Sequence, residues 1–163
     1  MRDALENRGY QVYDQRQMGA SGTRKDVGEL DLMLYREERD EKKPWSIIEA
    51  LRVDDGAKRD WNSHLGKLLD NYNPHGVPFL FLVTYADCEK EQFERIWKGY
   101  REHIQKHSAG KFGYESESFR ILNNEQDGYY IQTAVSRYRC GGYTPTVYHI
   151  FVQMDPKQKE AKE

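Results

Sequence analysis

Cysteine is scarce in this chain. Cys88 and Cys140 are the only two in 163 residues, and neither lies in a CxxC or Cys/His cluster, so neither a thiolate zinc site nor a disulfide framework underlies the fold. A reducing, cytoplasmic setting is the expectation that follows. A charge excess of either sign is also missing. With 25 Lys and Arg against 27 Asp and Glu, the net charge is -2, and no global field draws the protein to nucleic acid or to an anionic membrane. Any contact with DNA therefore has to come from a local patch. No apolar run approaches the roughly 18 residues of a membrane span, and the first residues lack the apolar segment of a signal peptide, so no membrane partner is expected. The glycine-containing stretch 19–22 lacks the Gly-Lys-Ser/Thr ending that gives a phosphate loop its chemistry. Internal repeats and low-complexity tracts are absent as well.

Aromatic residues, by contrast, are plentiful at 13%, with twelve tyrosines concentrated towards the C-terminal half, and disordered chains are usually poor in such residues. The length suits one domain, expected over residues 1–154, followed by a charged tail at 155–163 without apolar periodicity. Residues 1–8 are helix-like and stop at Gly9, a left-handed terminator. The chain opens on this helix with almost no leader, as a domain of a longer protein would. Residues 10–17 have strand character, and 19–26 read as a small, polar loop.

Two apolar runs then stand out, 30–35 and 45–53, separated by the charged segment 36–43, which reads as an exposed hairpin loop. In 60–72, Trp61, Leu65, Leu68, Leu69 and Tyr72 fall on one helical face. The unbroken apolar run 78–85 predicts a strand covered on both faces, joined to the preceding strand by a crossover. Asp87 is the expected N-cap of a further helix bearing Phe93, Ile96, Trp97, Tyr100 and Ile104. Residues 119–154 alternate and predict two or three more strands, with turn signals at Asp127-Gly128 and at Cys140-Gly141-Gly142. The fold class is α/β, a mixed central β-sheet flanked by helices.

Each of the two central runs contains an acid, Asp31 in the first and Glu49 in the second. A carboxylate inside an apolar strand is costly unless it is paired or binds a metal. Hydrolysis of a phosphodiester at neutral pH needs a cation that lowers the pKa of the attacking water and offsets the growing negative charge. Magnesium-like ions take one or two protein carboxylates and complete their shell with water and phosphate. Two acids on adjacent strands meet that need.

The string Gly28-Glu29-Leu30-Asp31-Leu32, followed after the hairpin by Ile47-Ile48-Glu49-Ala50-Leu51, resembles the GE(I/L)D…(V/I)ExK core of the PD-(D/E)xK nuclease superfamily. The order of elements over residues 1–107 is similar too. The resemblance implies a restriction-endonuclease-like fold and a Mg²⁺- or Mn²⁺-dependent nuclease acting on DNA, as part of a larger DNA-processing or anti-phage defence protein. It also implies that Asp31, Glu49 and the Ala50 carbonyl hold the metal. Leu51 departs from the pattern, since it stands where the superfamily has its water-orienting lysine. Arg52 points to the other face of the strand. The superfamily lets this lysine migrate to the following helix, which here implies Lys67 as the third catalytic residue.

On that helix His64, Lys67 and Asn71 form a polar stripe beside the apolar face, and His64 and Asn71 are candidate nucleic-acid contacts with Arg137 and Arg139. Arg137, Tyr138, Arg139, Tyr143 and Tyr148 together could form a phosphate and base-stacking surface, or ordinary cross-strand pairs. An N-terminal helix in the superfamily often brings an acid near the metal, and Glu6 is the residue so placed, although a solvated helix face is its expected role. His75 and His149 are read as structural. Leu51 also motivates a second reading, a nuclease fold whose chemistry has lapsed and which binds DNA or a protein. A third is an assembly domain using its tyrosine-rich C-terminal sheet.

Overall fold

The computed structural model describes residues 2–17, 29–38, 41–53, 58–73, 76–106, 111–122 and 130–154. The expected loop at 19–26, Gly28, His75, the Asp127-Gly128 turn and the tail 155–163 lie outside the described residues. Along the chain the elements are α1 (Arg2–Glu6), β1 (Gln11–Gln17), β2 (Glu29–Glu38), β3 (Glu41–Val53), α2 (Lys58–Gly66), continued by a π turn (Lys67–Asn71), β4 (Phe79–Asp87), α3 (Lys90–Ile104), β5 (Gly113–Tyr114), β6 (Arg120–Ile121), β7 (Ile131–Arg139) and β8 (Thr146–Met154). The described strands form one mixed sheet in the order β1-β2-β3-β4-β8-β7-β5, with β6 also paired to β7. Among the described residues no helix is long and apolar enough to cross a membrane.

The expected antiparallel start is present, since β1, β2 and β3 pair antiparallel in sequence. The chain then crosses over through α2 and returns as β4, parallel to β3, with Ile47 beside Leu80 and Leu51 beside Thr84. Strand β8 lies parallel to β4 and antiparallel to β7. The charge of 36–43 suggested a hairpin loop, but residues 36–38 and 41–43 are strand, and 39–40 lie outside the described residues. The β2–β3 register continues to Arg36↔Lys43, Glu37↔Lys42 and Glu38↔Glu41, so one pair of opposite sign lies between two pairs of like sign.

Side-chain alternation divides the core in two. On one face Met33, Ile47, Leu51, Val53, Leu80 and Leu82 pack beneath Trp61 and Leu65 of α2, Leu68 and Leu69 of the π turn, and Phe93, Ile96, Trp97 and Tyr100 of α3. Each such side chain, once buried, contributes about 1.5–3 kcal/mol, so this stripe is what holds the helices to the sheet. On the other face Val12, Leu34, Ile48 and Val83 form a smaller cluster, with Leu5 of α1 packed against it. Gly9, at φ +84°, ends α1 by donating its N–H to the Glu6 carbonyl.

Asp87 does not cap α3. The strand runs further than its apolar run suggested, Glu89 takes the N-cap position, and Asp87 accepts a hydrogen bond from the Arg52 guanidinium at 2.5 Å. Arg52 sits next to Tyr85 in the parallel register, which brings it within reach of the end of β4.

Candidate functional site

The β2–β3 register pairs Met33 with Ile47 and Leu32 with Ile48, so one further step sets Asp31 beside Glu49. Alternation puts both on the helix-covered face, Asp31 with Met33 and Glu49 between Ile47 and Leu51. Their environments differ. Asp31 is exposed, whereas Glu49 is only 3% exposed beneath α2. Asp31 Oδ2 accepts the Ala50 N–H at 2.6 Å, so a side-chain carboxylate holds the backbone of β3 beside Glu49.

Glu49 Oε1 accepts a hydrogen bond from His64 Nδ1 at 2.7 Å, while its other oxygen, Oε2, is buried with no hydrogen-bond partner. Burial raises the Glu49 pKa above its ordinary 4.5, and the negative charge of Asp31 pushes the same way; the His64 hydrogen bond and the charges of His64 and Lys67 pull it down. Lys67, half-buried at the start of the π turn, is therefore close enough for its ammonium to act on Glu49. Tyr72 is buried on the same side. Its hydroxyl is pushed up to about 12 by burial and then by the charges of Glu49 and Asp31, so it stays an O–H donor at neutral pH.

The π turn accounts for the grouping of Lys67 with Tyr72. At 3.6 residues per turn, positions five apart lie about 140° around a helix, and an α-helical projection puts these two on different faces. Here the Tyr72 N–H donates to the Lys67 carbonyl at 2.9 Å, five residues back, so the two stack one turn apart. Tyr72 was legible in the sequence as a member of the apolar helix face. The polar stripe through His64 and Lys67 was legible, and the structure adds the hydrogen bond between His64 and Glu49.

The remaining candidates lie elsewhere. Asn71 is exposed at the end of the π turn. Arg137 and Arg139 are on β7, where Glu115 pairs with both: its Oε1 accepts from Arg139 at 2.8 Å, and its Oε2 forms an ion pair with Arg137 Nε at 2.8 Å. Between them Tyr138 is fully buried on the helix side, so the two arginines face the other side of the sheet and are three strands away from Glu49. The expected surface of five residues is thus divided. Tyr138 belongs to the core, and Tyr143 donates to the Val77 carbonyl inside a turn that Asn73 also braces. His149 is fully buried and held between Tyr100 and Ser136. Glu6 is exposed at the end of α1.

Among the described residues no group of three or more His, Cys, Asp or Glu is arranged to hold a metal ion. A hard cation that draws most of its shell from water and phosphate needs only one or two carboxylates, and the unpartnered Glu49 Oε2 beside Asp31 fits such a donor set, with the Ala50 carbonyl adjacent in sequence. No family model, curated protein or solved structure matches the chain.

Proposed function

We propose that this chain is a nuclease domain that hydrolyses DNA phosphodiester bonds with Mg²⁺ or Mn²⁺, in a restriction-endonuclease-like sheet. The observation that carries the reading is Glu49, a buried carboxylate with one oxygen left without a partner, set beside a second carboxylate and under His64, Lys67 and Tyr72. The antiparallel β1–β2–β3 start and the β3–α2–β4 parallel crossover support the fold assignment.

Asp31, Glu49 and the Ala50 carbonyl would hold the cation, which when bound activates water and offsets charge on the phosphate. His64 holds Oε1 and so directs Oε2 away from itself. The Lys67 ammonium, on the π turn that continues α2, acts on Glu49 and would take the role of the motif lysine that Leu51 replaces. Leu51 is 5% exposed in the helix-side core and takes no part in the chemistry.

Leu51 also supports a second reading, in which the same fold binds DNA or a protein without cleaving. Incubating supercoiled, linear and single-stranded DNA with Mg²⁺ or Mn²⁺ separates the two. Cation-dependent cleavage is expected, abolished in Asp31→Ala and Glu49→Ala and slowed on the order of 10²-fold in Lys67→Ala. Cleavage that persists in both acid variants refutes this site. Cation binding without cleavage leaves the second reading.

A further inference from the structure

The sheet face turned away from α2 and α3 carries a concavity that the acidic site does not use. It lies where β6, β7 and β8 run together, has a volume of about 530 Å³, and is lined by Ser118, Arg120, Val135, Arg137, Thr146 and Tyr148. Register explains the assembly. Arg120 pairs with Val135, Val135 with Tyr148, and Arg137 with Thr146, so these side chains rise from one face across three strands. Such a volume is in the usual range for a small-ligand site, roughly 300–1,000 Å³.

Two features give the concavity a chemistry. The Tyr148 ring is stacked on Phe81 of the neighbouring β4, with centroids 5.0 Å apart and planes 16° from parallel. Phe81 therefore covers one ring face and fixes its plane, and the other is turned towards β7, with Val135 as floor and Arg120 and Arg137 beyond. Arg137 is positioned independently, since its Nε is ion-paired with Glu115 Oε2 at 2.8 Å, and its terminal N–H groups can serve a further acceptor.

The turn on the near side is held in an uncommon conformation. Glu117 has φ +60°, a left-handed value that a non-glycine residue keeps only where its surroundings impose it. The imposing contact is Ser118, whose Oγ accepts the Arg137 N–H at 3.0 Å and donates to the Arg137 carbonyl at 3.3 Å. Glu117 also lines the cavity, which disfavours highly charged anions such as triphosphates and suits a single phosphate group.

We infer that this concavity binds a nucleoside phosphate unit, its base flat against Tyr148 and its phosphate between Arg120 and Arg137. Stacking on an aromatic ring tolerates any base, and paired guanidinium groups suit phosphate. The unit can be a free nucleotide or one residue of a single nucleic-acid strand. Because the cavity is on the other face of the sheet and three strands from Glu49, about 14 Å at 4.8 Å per strand, the inference does not depend on hydrolysis at the acidic pair.

Calorimetric titration of the whole chain in metal-free, chelator-containing buffer tests it, with deoxyadenosine monophosphate, deoxyadenosine, inorganic phosphate and a single-stranded hexamer as probes. Binding of the monophosphate or the hexamer is expected, at least tenfold tighter than deoxyadenosine or phosphate alone. Arg120→Ala and Tyr148→Leu should each weaken it about 5- to 150-fold, the range that follows from the loss of one stacked base. Far-UV circular dichroism confirms that both variants are folded, and Arg120, being exposed, can be removed without a core defect. Tighter binding of the hexamer identifies a strand, and binding of the monophosphate alone identifies a free nucleotide; either supports the inference. It is overturned if neither binds, if phosphate alone binds as tightly, or if folded variants bind like the wild type.

Discussion

Acidification should unfold this protein through His149, which lies fully buried on β8 at the junction of three elements. Its Nδ1 is 2.6 Å from the Tyr100 hydroxyl of α3, and its Nε2 is 2.7 Å from Ser136 Oγ of β7. Burial raises the Tyr100 hydroxyl well above its ordinary 10, so it remains a donor, and the neutral imidazole accepts from it. A second proton on the ring would displace that donor and bury a charge without a counter-ion. Accordingly burial lowers the His149 pKa from 6.5 to about 3.

The sign follows from linkage. Above pH 6.5 the ring is neutral in both folded and unfolded chains, and His149 adds no pH dependence. Between 6.5 and about 3 the unfolded chain takes up a proton that the native state refuses, so stability falls as pH falls. The slope is about 1.4 kcal/mol per pH unit, on the order of 5 kcal/mol across the window, against about 5–15 kcal/mol for the whole stability of a typical domain. Glu49 works in the opposite sense. Its raised pKa favours the native state below 4.5, an advantage lost as pH rises through the folded value.

Urea unfolding at pH 7.5, 6, 5 and 4, for the wild type and for His149→Gln, isolates the contribution. The variant should lose about 2–4 kcal/mol at pH 7.5, because two buried partners lose their acceptor or donor. Its slope between pH 6 and 4 should nevertheless be shallower than the wild type's by about one proton. Equal slopes would refute the argument, because the buried ring could not then be the group that titrates.

His64→Ala should raise the Glu49 pKa further, since the hydrogen bond that opposes burial is removed; carboxyl chemical shifts followed against pH would show it, and an unchanged midpoint would deny the contact. Asn73→Ala removes the acceptor of the Val77 N–H and the donor to the Val77 carbonyl, and should cost about 2–4 kcal/mol in denaturant unfolding. Leu51→Lys, which writes the motif lysine back, should destabilise by several kcal/mol because it sets an ammonium among the buried apolar side chains of the helix-side core. A Leu51→Lys variant as stable as the wild type, measured by thermal melting, would mean that this position opens to the carboxylates.

Local periodicity made much of this fold legible. The apolar spacing of Trp61, Leu65, Leu68 and Leu69 marks α2, that of Phe93, Ile96, Trp97 and Tyr100 marks α3, and the unbroken run of β4 marks a strand covered on both faces. These are properties of neighbours along the chain, and propensity and amphipathicity act at that range. Asp31 and Glu49 were legible for a different reason, since acids inside apolar strands demand a partner.

Only the tertiary structure decided which partner each found. The inward turn of His64 depends on where α2 lies over β3, and the grouping of Lys67 with Tyr72 depends on a π turn that no α-helical projection contains. Arg52 with Asp87, the pairing of 36–38 with 41–43, and the separation of Arg137 from the acidic pair all follow from register and strand order. A sequence specifies which residues need a partner through their chemistry. Which residues meet is set by the packing of elements far apart in the chain, where burial of the whole apolar face outweighs the preference of any one polar side chain.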